Sequence, residues 1–273
     1  MNNPSNTDID NNLKKPLAKI FSIVNQKGGV GKTTTAINVA TAMASIKKKV
    51  LLIDLDPQGN ASTGLGIENN QRTNNIYSVL IGDCKINQAI IKTKIPNLEI
   101  IPATVDLSAS EVELINVEQR EFLLKTALHE ITENYQIIII DCPPSLGLLT
   151  INALCSSNSI LIPMQCEFFS LEGLSHLLNT VGLIKDNLND ELQVSGIILT
   201  MHDRRNKLTE QVENDVREFL GDKVYENYIP RNVRLSEAPS YGLPGIIYDS
   251  KSSGSLSYIK LAKEILTKEN LFT

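Results

Sequence analysis

Residues 20–34 read Ile-Phe-Ser-Ile-Val-Asn-Gln-Lys-Gly-Gly-Val-Gly-Lys-Thr-Thr, an apolar strand-like run that passes through a glycine-rich turn into a helix-like segment. Gly28, Gly29 and Gly31 carry no Cβ, so the backbone can wrap around an anion with consecutive N–H groups pointing inward. Lys32 brings a mobile ammonium to the outer phosphates of a nucleoside triphosphate, and Thr33 offers a hydroxyl to Mg2+. The helix expected to begin about there adds the positive end of its dipole. The generic pattern G-x-x-x-x-G-K-[ST] is not met, because Gln26 stands where its first glycine would be and Lys27 follows it. A lysine at the loop entrance does not easily curl back onto its own chain's phosphates. Across an interface it can reach a partner's nucleotide and neutralise transition-state charge, as an arginine finger does.

A chain of 273 residues with 42% hydrophobic content suits one large α/β domain. The formal net charge of -5 excludes an overall basic field for nucleic acid, so any DNA contact has to come from a local patch. No apolar run approaches the roughly 20 residues that span a bilayer, and the Asn- and Asp-rich beginning is unlike a secretory signal. The expectation is a cytoplasmic protein. Cys84, Cys142, Cys155 and Cys166 are widely spaced, with no C-x-x-C pair, so they read as small buried apolar residues in a reducing compartment.

Residues 1–16 are polar and aperiodic and read as a flexible arm, leaving 17–273 as a single domain. Strand candidates are Ile20 to Val24, Val50 to Leu55, Leu98 to Ile101, Ile137 to Ile140, Ile160 to Ile162, Val194 to Leu199 and Val224 to Ile229. Several are continuous Ile/Leu/Val runs, as strands buried on both faces of a mostly parallel sheet require, and helical patterns alternate with them. The expected fold is therefore α/β, a doubly wound sheet flanked by helices. Ser108 with Glu111 forms a capping-box pattern ahead of a helix to about Ile131. Leu208, Val212, Val216 and Phe219 make a helical stripe ended by Gly221. A terminal helix over about 255–268 places Leu256, Ile259, Ala262 and Leu266 on one face. The Lys47-Lys48-Lys49 run falls at the end of the first helix, where cations suit the dipole.

The second strand ends in Asp54-Leu55-Asp56-Pro57-Gln58-Gly59-Asn60. Carboxyl ends of parallel strands face the nucleotide, so one of these aspartates belongs near the γ-phosphate and metal. Asp54 and Asp56 share a side; the more distal Asp56 is the candidate for positioning water, while Asp54 orients either a metal-bound water or a loop. Ile137-Ile138-Ile139-Ile140-Asp141-Cys142-Pro143-Pro144 has the form of a Walker B strand, whose Asp141 would hold Mg2+ through water.

Together with Ile229-Pro230-Arg231-Asn232-Val233-Arg234-Leu235-Ser236-Glu237-Ala238-Pro239-Ser240, these segments resemble the ParA/Soj family of chromosome-partitioning ATPases, over about residues 18 to 268. The resemblance implies a deviant Walker A ATPase that uses ATP and Mg2+, forms an ATP sandwich homodimer and binds DNA without sequence preference. It implies release on hydrolysis stimulated by a ParB-like centromere-binding protein, and hence association with the nucleoid. By matching position, Lys27 is implied to act across the dimer, Lys32 to bind phosphate, Thr33 to ligate Mg2+ and Asp56 to serve hydrolysis. Pro230 and Asn232 are implied to contact the adenine side. Larger plasmid relatives carry an amino-terminal helix-turn-helix region for autorepression; none is seen here, so that route is not expected.

Candidate DNA contacts are Arg204, Arg205, Arg231, Arg234 and Lys251, of which Arg231, Arg234 and Lys251 are preferred. Two weak patches aligned by dimerisation would give non-specific affinity only in the ATP state. A MinD-like membrane-associated regulator shares the signature loop, but its lipid-inserting amphipathic tail is not matched by the short Asn270-Leu271-Phe272-Thr273 end. No stable membrane association is expected. An iron–sulfur ATPase resembling nitrogenase iron protein is disfavoured by the spacing around Cys142, and a tyrosine autokinase by the scattering of Tyr241, Tyr248 and Tyr258.

Overall fold

The computed structural model describes residues 17–272; the arm expected over 1–16 lies outside the described residues. The strands are β1 (Lys19–Ile23), β2 (Val50–Asp54), β3 (Ile91–Lys92), β4 (Leu98–Ile101), β5 (Ile137–Asp141), β6 (Ser159–Gln165) and β7 (Gln193–Thr200). They form one seven-stranded sheet in the order β3-β4-β2-β5-β1-β6-β7. All pairings are parallel except β3 with β4. The helices are α1 (Lys32–Ser45), α2 (Asn60–Gly64), α3 (Ile76–Leu80), α4 (Ser110–Glu113), α5 (Leu123–Leu128), α6 (Leu148–Ser156), α7 (Ser170–Asn187), α8 (Lys207–Leu220), α9 (Val233–Glu237), α10 (Gly245–Tyr248) and α11 (Ser253–Lys268).

Alternation along each strand divides the core between the two sheet faces. Phe21 and Ile23, Val50 and Leu52, and Ile137 and Ile139 pack with α1 and α11. Ile20, Leu51, Ile53, Ile138 and Ile140 pack on the opposite face with α3, α5, α6, α7 and α8. Asp54 and Asp141 follow the first set in parity, so both project toward the α1 side, where the phosphate loop ends.

Three expectations are corrected. Val224 to Ile229 is not a strand: Tyr225 and Ile229 donate their N–H groups to Ile197 and Leu199 of β7, but the Glu264 carboxylate takes the intervening N–H groups of Glu226 and Asn227. The ladder is thereby interrupted, and only isolated bridges remain. The helix from Ser108 to Ile131 is broken, since the Ser108 hydroxyl donates backward to the Val105 carbonyl and caps nothing. Gln119 turns into the left-handed region at φ 55, and α5 begins only where Asn152 Oδ1 accepts the Leu124 N–H. The stripe of α11 is half right, with Ala262 and Leu266 buried beside Tyr258, Leu261 and Ile265, while Leu256 and Ile259 are exposed. Finally, α1 ends at Ser45 and Lys47 takes φ 67, so the lysine run follows the helix and its last turn holds no base. The stripe of α8 is half right, with Val212 and Val216 buried and Leu208 and Phe219 exposed. Its stop is right, with Gly221 at the carboxyl cap.

Candidate functional site

The loop from β1 to α1 is shaped by backbone that only glycine adopts easily. Gly29 and Gly31 lie at φ 75 and φ 87, and nothing within 4 Å crowds Gly28 or Gly29 on the side where a Cβ would stand. Neighbouring strands tie the loop down. The Thr200 hydroxyl donates to the Val30 carbonyl at 2.7 Å, Gln165 Nε2 donates to the Gly29 carbonyl at 3.0 Å, and Asn25 Nδ2 donates to the Pro163 carbonyl at 2.7 Å. Lys32 Nζ crosses the loop and donates to the Lys27 carbonyl at 3.0 Å. Burial lowers the Lys32 pKa, against the opposing pull of Asp141, Asp56 and Cys142. The Lys27 ammonium points outward and pairs with Glu167.

Asp54 and Asp141 are register partners at the ends of β2 and β5, and both are fully buried. Asp54 is satisfied: its Oδ2 accepts the Ser62 N–H at 2.8 Å and the Ser62 hydroxyl at 2.6 Å, and its Oδ1 accepts the Asp56 N–H at 3.3 Å. Burial nevertheless raises its pKa to about 6, with the Ser62 bonds working against the rise. Of its two expected roles, the hydrogen bonds therefore support the one of orienting a loop. Asp141 is different, because neither of its oxygens has a hydrogen-bond partner. Burial first, then the charge of Asp54, raises its pKa well above the ordinary carboxylate range; the Thr33 side chain pulls the other way without completing a hydrogen bond. A buried carboxylate without donors, beside a threonine hydroxyl and a lysine, fits a site completed by a hydrated divalent cation. Among the described residues no cluster of three His, Cys, Asp or Glu side chains could hold a metal ion.

Asp56 stands just beyond, nearly buried, with its Oδ1 accepting the Gln58 N–H at 2.9 Å. Gly59 follows at φ 62, packed so closely that a Cβ would meet Arg72 Nη1 at 2.6 Å. Arg72 is the residue the sequence reading missed. It is only 6% exposed, and its guanidinium donates to the carbonyls of Ile67 (2.6 Å), Ala103 (3.2 Å) and Gly59 (3.4 Å) and to the Thr63 hydroxyl (2.9 Å). Residues 59–67, downstream of Asp56, are thus stapled to the end of β4. No local pattern announces Arg72, since its partners come from separate segments.

Pro230 and Asn232 line a cleft with Gly31, Thr34, Thr200 and Met201. Asn232 also caps α9 by accepting the Leu235 N–H at 3.3 Å and donates to the Ser253 hydroxyl at 3.0 Å. The basic candidates divide. Arg234 pairs with Glu237 at 3.0 Å and Asp249 at 3.6 Å, and Arg205 pairs with Asp203 at 2.9 Å. Arg204 lies over the Tyr228 ring at 5.0 Å. Arg231 and Lys251 are exposed and make no ion pair among the described residues. Cys142, Cys155 and Cys166 are buried and Cys84 is half-buried, all as free thiols. Among the described residues no helix is long and apolar enough to cross a membrane.

A family model described as an AAA domain matches residues 18–194. The chromosome partitioning protein ParA of Caulobacter vibrioides is 52% identical over 253 residues, covering 92% of this chain and 95% of that protein. The sporulation initiation inhibitor protein Soj of Bacillus subtilis is 53% identical over 249 residues, covering 91% and 98%. The chain belongs to the ParA/Soj family of chromosome-partitioning ATPases. Among solved structures, cobyrinic acid a,c-diamide synthase from Mycobacterium smegmatis with bound ADP and magnesium matches with a TM-score of 0.82 at 31% identity, covering 93% of this chain and 96% of that one. For a ParA/Soj chain the signature loop, the two strand-end aspartates and the Pro230–Asn232 turn all converge at the carboxyl edge of one sheet.

Proposed function

We propose that residues 17–273 form one ATPase domain that binds ATP with Mg2+ at the Lys27–Thr34 loop and pairs with a second copy while ATP is bound. The paired form binds DNA without sequence preference, and hydrolysis stimulated by a ParB-like partner releases it, so the protein works in the cytoplasm on the nucleoid. The single observation that carries the nucleotide reading is the fully buried, unpartnered Asp141 carboxylate facing Thr33 and Lys32 at the mouth of the glycine loop. Membership of the ParA/Soj family supports the partitioning role.

The N–H groups of residues 28–34 orient the triphosphate, and Lys32 exchanges the Lys27 carbonyl for the outer phosphates. The Thr33 hydroxyl and Asp141 would hold Mg2+, which would supply charge neutralisation at the triphosphate. Asp56, steadied by Gln58, holds the attacking water and accepts its hydrogen bond. Lys27 of one copy reaches the nucleotide of the other and stabilises the charge that develops as the terminal bond breaks. Pro230 and Asn232 border the adenine side. For DNA, Arg231 and Lys251 are the stronger candidates, because Arg234 already spends its guanidinium on two carboxylates.

Co-sedimentation with DNA in the presence of ATP, ADP or no nucleotide tests the whole scheme. Binding confined to ATP is expected, absent in Lys27→Ala and prolonged in Asp56→Ala. Equal binding in all three conditions, or ATP-dependent partition into lipid vesicles in place of DNA, would overturn it.

A further inference from the structure

Lys27 is held before any partner arrives. Its ammonium pairs with Glu167, a residue 140 positions away in sequence, on the connection between β6 and α7. That connection is itself fastened to the loop. The Glu167 N–H donates to the Gln165 carbonyl and its carbonyl accepts the Ser170 N–H, both at 3.0 Å, while the Gln165 side chain donates to the Gly29 carbonyl. The backbone that carries the carboxylate is therefore tied beside the loop entrance. Lys27 and Glu167 remain 44% and 50% exposed, so the pair is reachable by a second molecule and screened by salt.

We propose that Glu167 is a positioning residue that keeps the Lys27 ammonium within its own subunit and so sets the concentration at which ATP-loaded copies pair. The inference rests on the reading of Lys27 as a group that acts across the dimer. To reach the other copy's phosphates the ammonium must leave Glu167, and a carboxylate at that edge also repels the incoming triphosphate. Both effects oppose pairing and act twice in a symmetric dimer. Each exposed pair contributes weakly, so neutralising two of them lowers the subunit concentration at half-assembly by roughly two- to thirty-fold at low salt.

The test is sedimentation velocity of the wild type, Glu167→Gln and Lys27→Ala with ATP, across protein concentration at low salt and at about 0.5 M salt, where screening acts over a few Å. Glu167→Gln is expected to assemble at lower concentration than the wild type at low salt, with the difference shrinking at high salt, and Lys27→Ala is expected to remain monomeric. Glu167→Gln assembling at the wild-type concentration or above it, while Lys27→Ala stays monomeric, overturns the role of Glu167 and leaves the proposed function standing. Lys27→Ala assembling and hydrolysing ATP like the wild type overturns both.

Discussion

Two aspartates at equivalent points of adjacent strands behave in opposite ways. Asp54 and Asp141 are register partners, equally buried, and both have their pKa values raised by burial. Asp54 receives three hydrogen bonds, two of them from Ser62 in α2, and so organises the segment that carries Asp56. Asp141 receives none. The difference teaches that burial with donors makes a carboxylate part of the scaffold, whereas burial without them leaves a group that must take up a proton or be matched by a cation.

The largest test of this contrast uses pH. Asp54 has its pKa raised to about 6 from an ordinary 3.8, so between those values the folded state binds a proton that the unfolded chain has released. Stability of the nucleotide-free protein is therefore expected to be greatest below about pH 4 with respect to this group and to fall by about 3 kcal/mol as pH rises through 6. Asp141, shifted in the same direction, extends the fall upward. Urea denaturation of the wild type and Asp54→Asn at a series of pH values checks it, and a wild-type stability that rises relative to the variant's across pH 4–6 would reverse the assignment. Next in size, Asp54→Ala is expected to lose about 2 kcal/mol near pH 4, where the folded Asp54 is uncharged and the change only leaves the Ser62 N–H and hydroxyl buried without their acceptor. Asp141→Asn should instead raise nucleotide-free stability above the carboxylate's titration, since a neutral amide then replaces a buried charge beside Asp54. The same variant should need about 10- to 100-fold more Mg2+ for half-maximal ATP hydrolysis, measured by phosphate release. Smallest, Arg231→Ala should reduce the slope of log affinity for DNA against log salt by about 1, while Arg234→Ala changes it less because two carboxylates already neutralise that residue.

Much of the sheet was readable from local pattern. The Ile/Leu/Val runs at Ile20, Val50, Leu98, Ile137, Ile160 and Val194 all lie in strands, since a strand buried on both faces leaves a continuous apolar signature. The short antiparallel β3 left none, having two residues with one exposed face. The run at Val224 failed because a distant carboxylate, Glu264, competes for its backbone donors. In α11 the apolar residues surround more of the helix than one face can bury, so helical spacing pointed to Leu256 and Ile259 along with the buried Ala262 and Leu266, where packing selected Tyr258 and Leu261.

At the site, glycine geometry, the spacing of Lys32 and Thr33, and aspartates ending apolar strands determined the phosphate loop and its acidic partners from sequence by itself. Those signals are local, because a backbone that must enter the left-handed region or a strand that must end at a charge shows it in neighbouring residues. Tertiary structure alone decided which of two like aspartates is satisfied, that Arg72 staples the segment beyond Asp56, and that Glu167 restrains Lys27. Hydrogen-bond partners and burial are set by residues far apart in the chain, and no pattern of near neighbours can encode them.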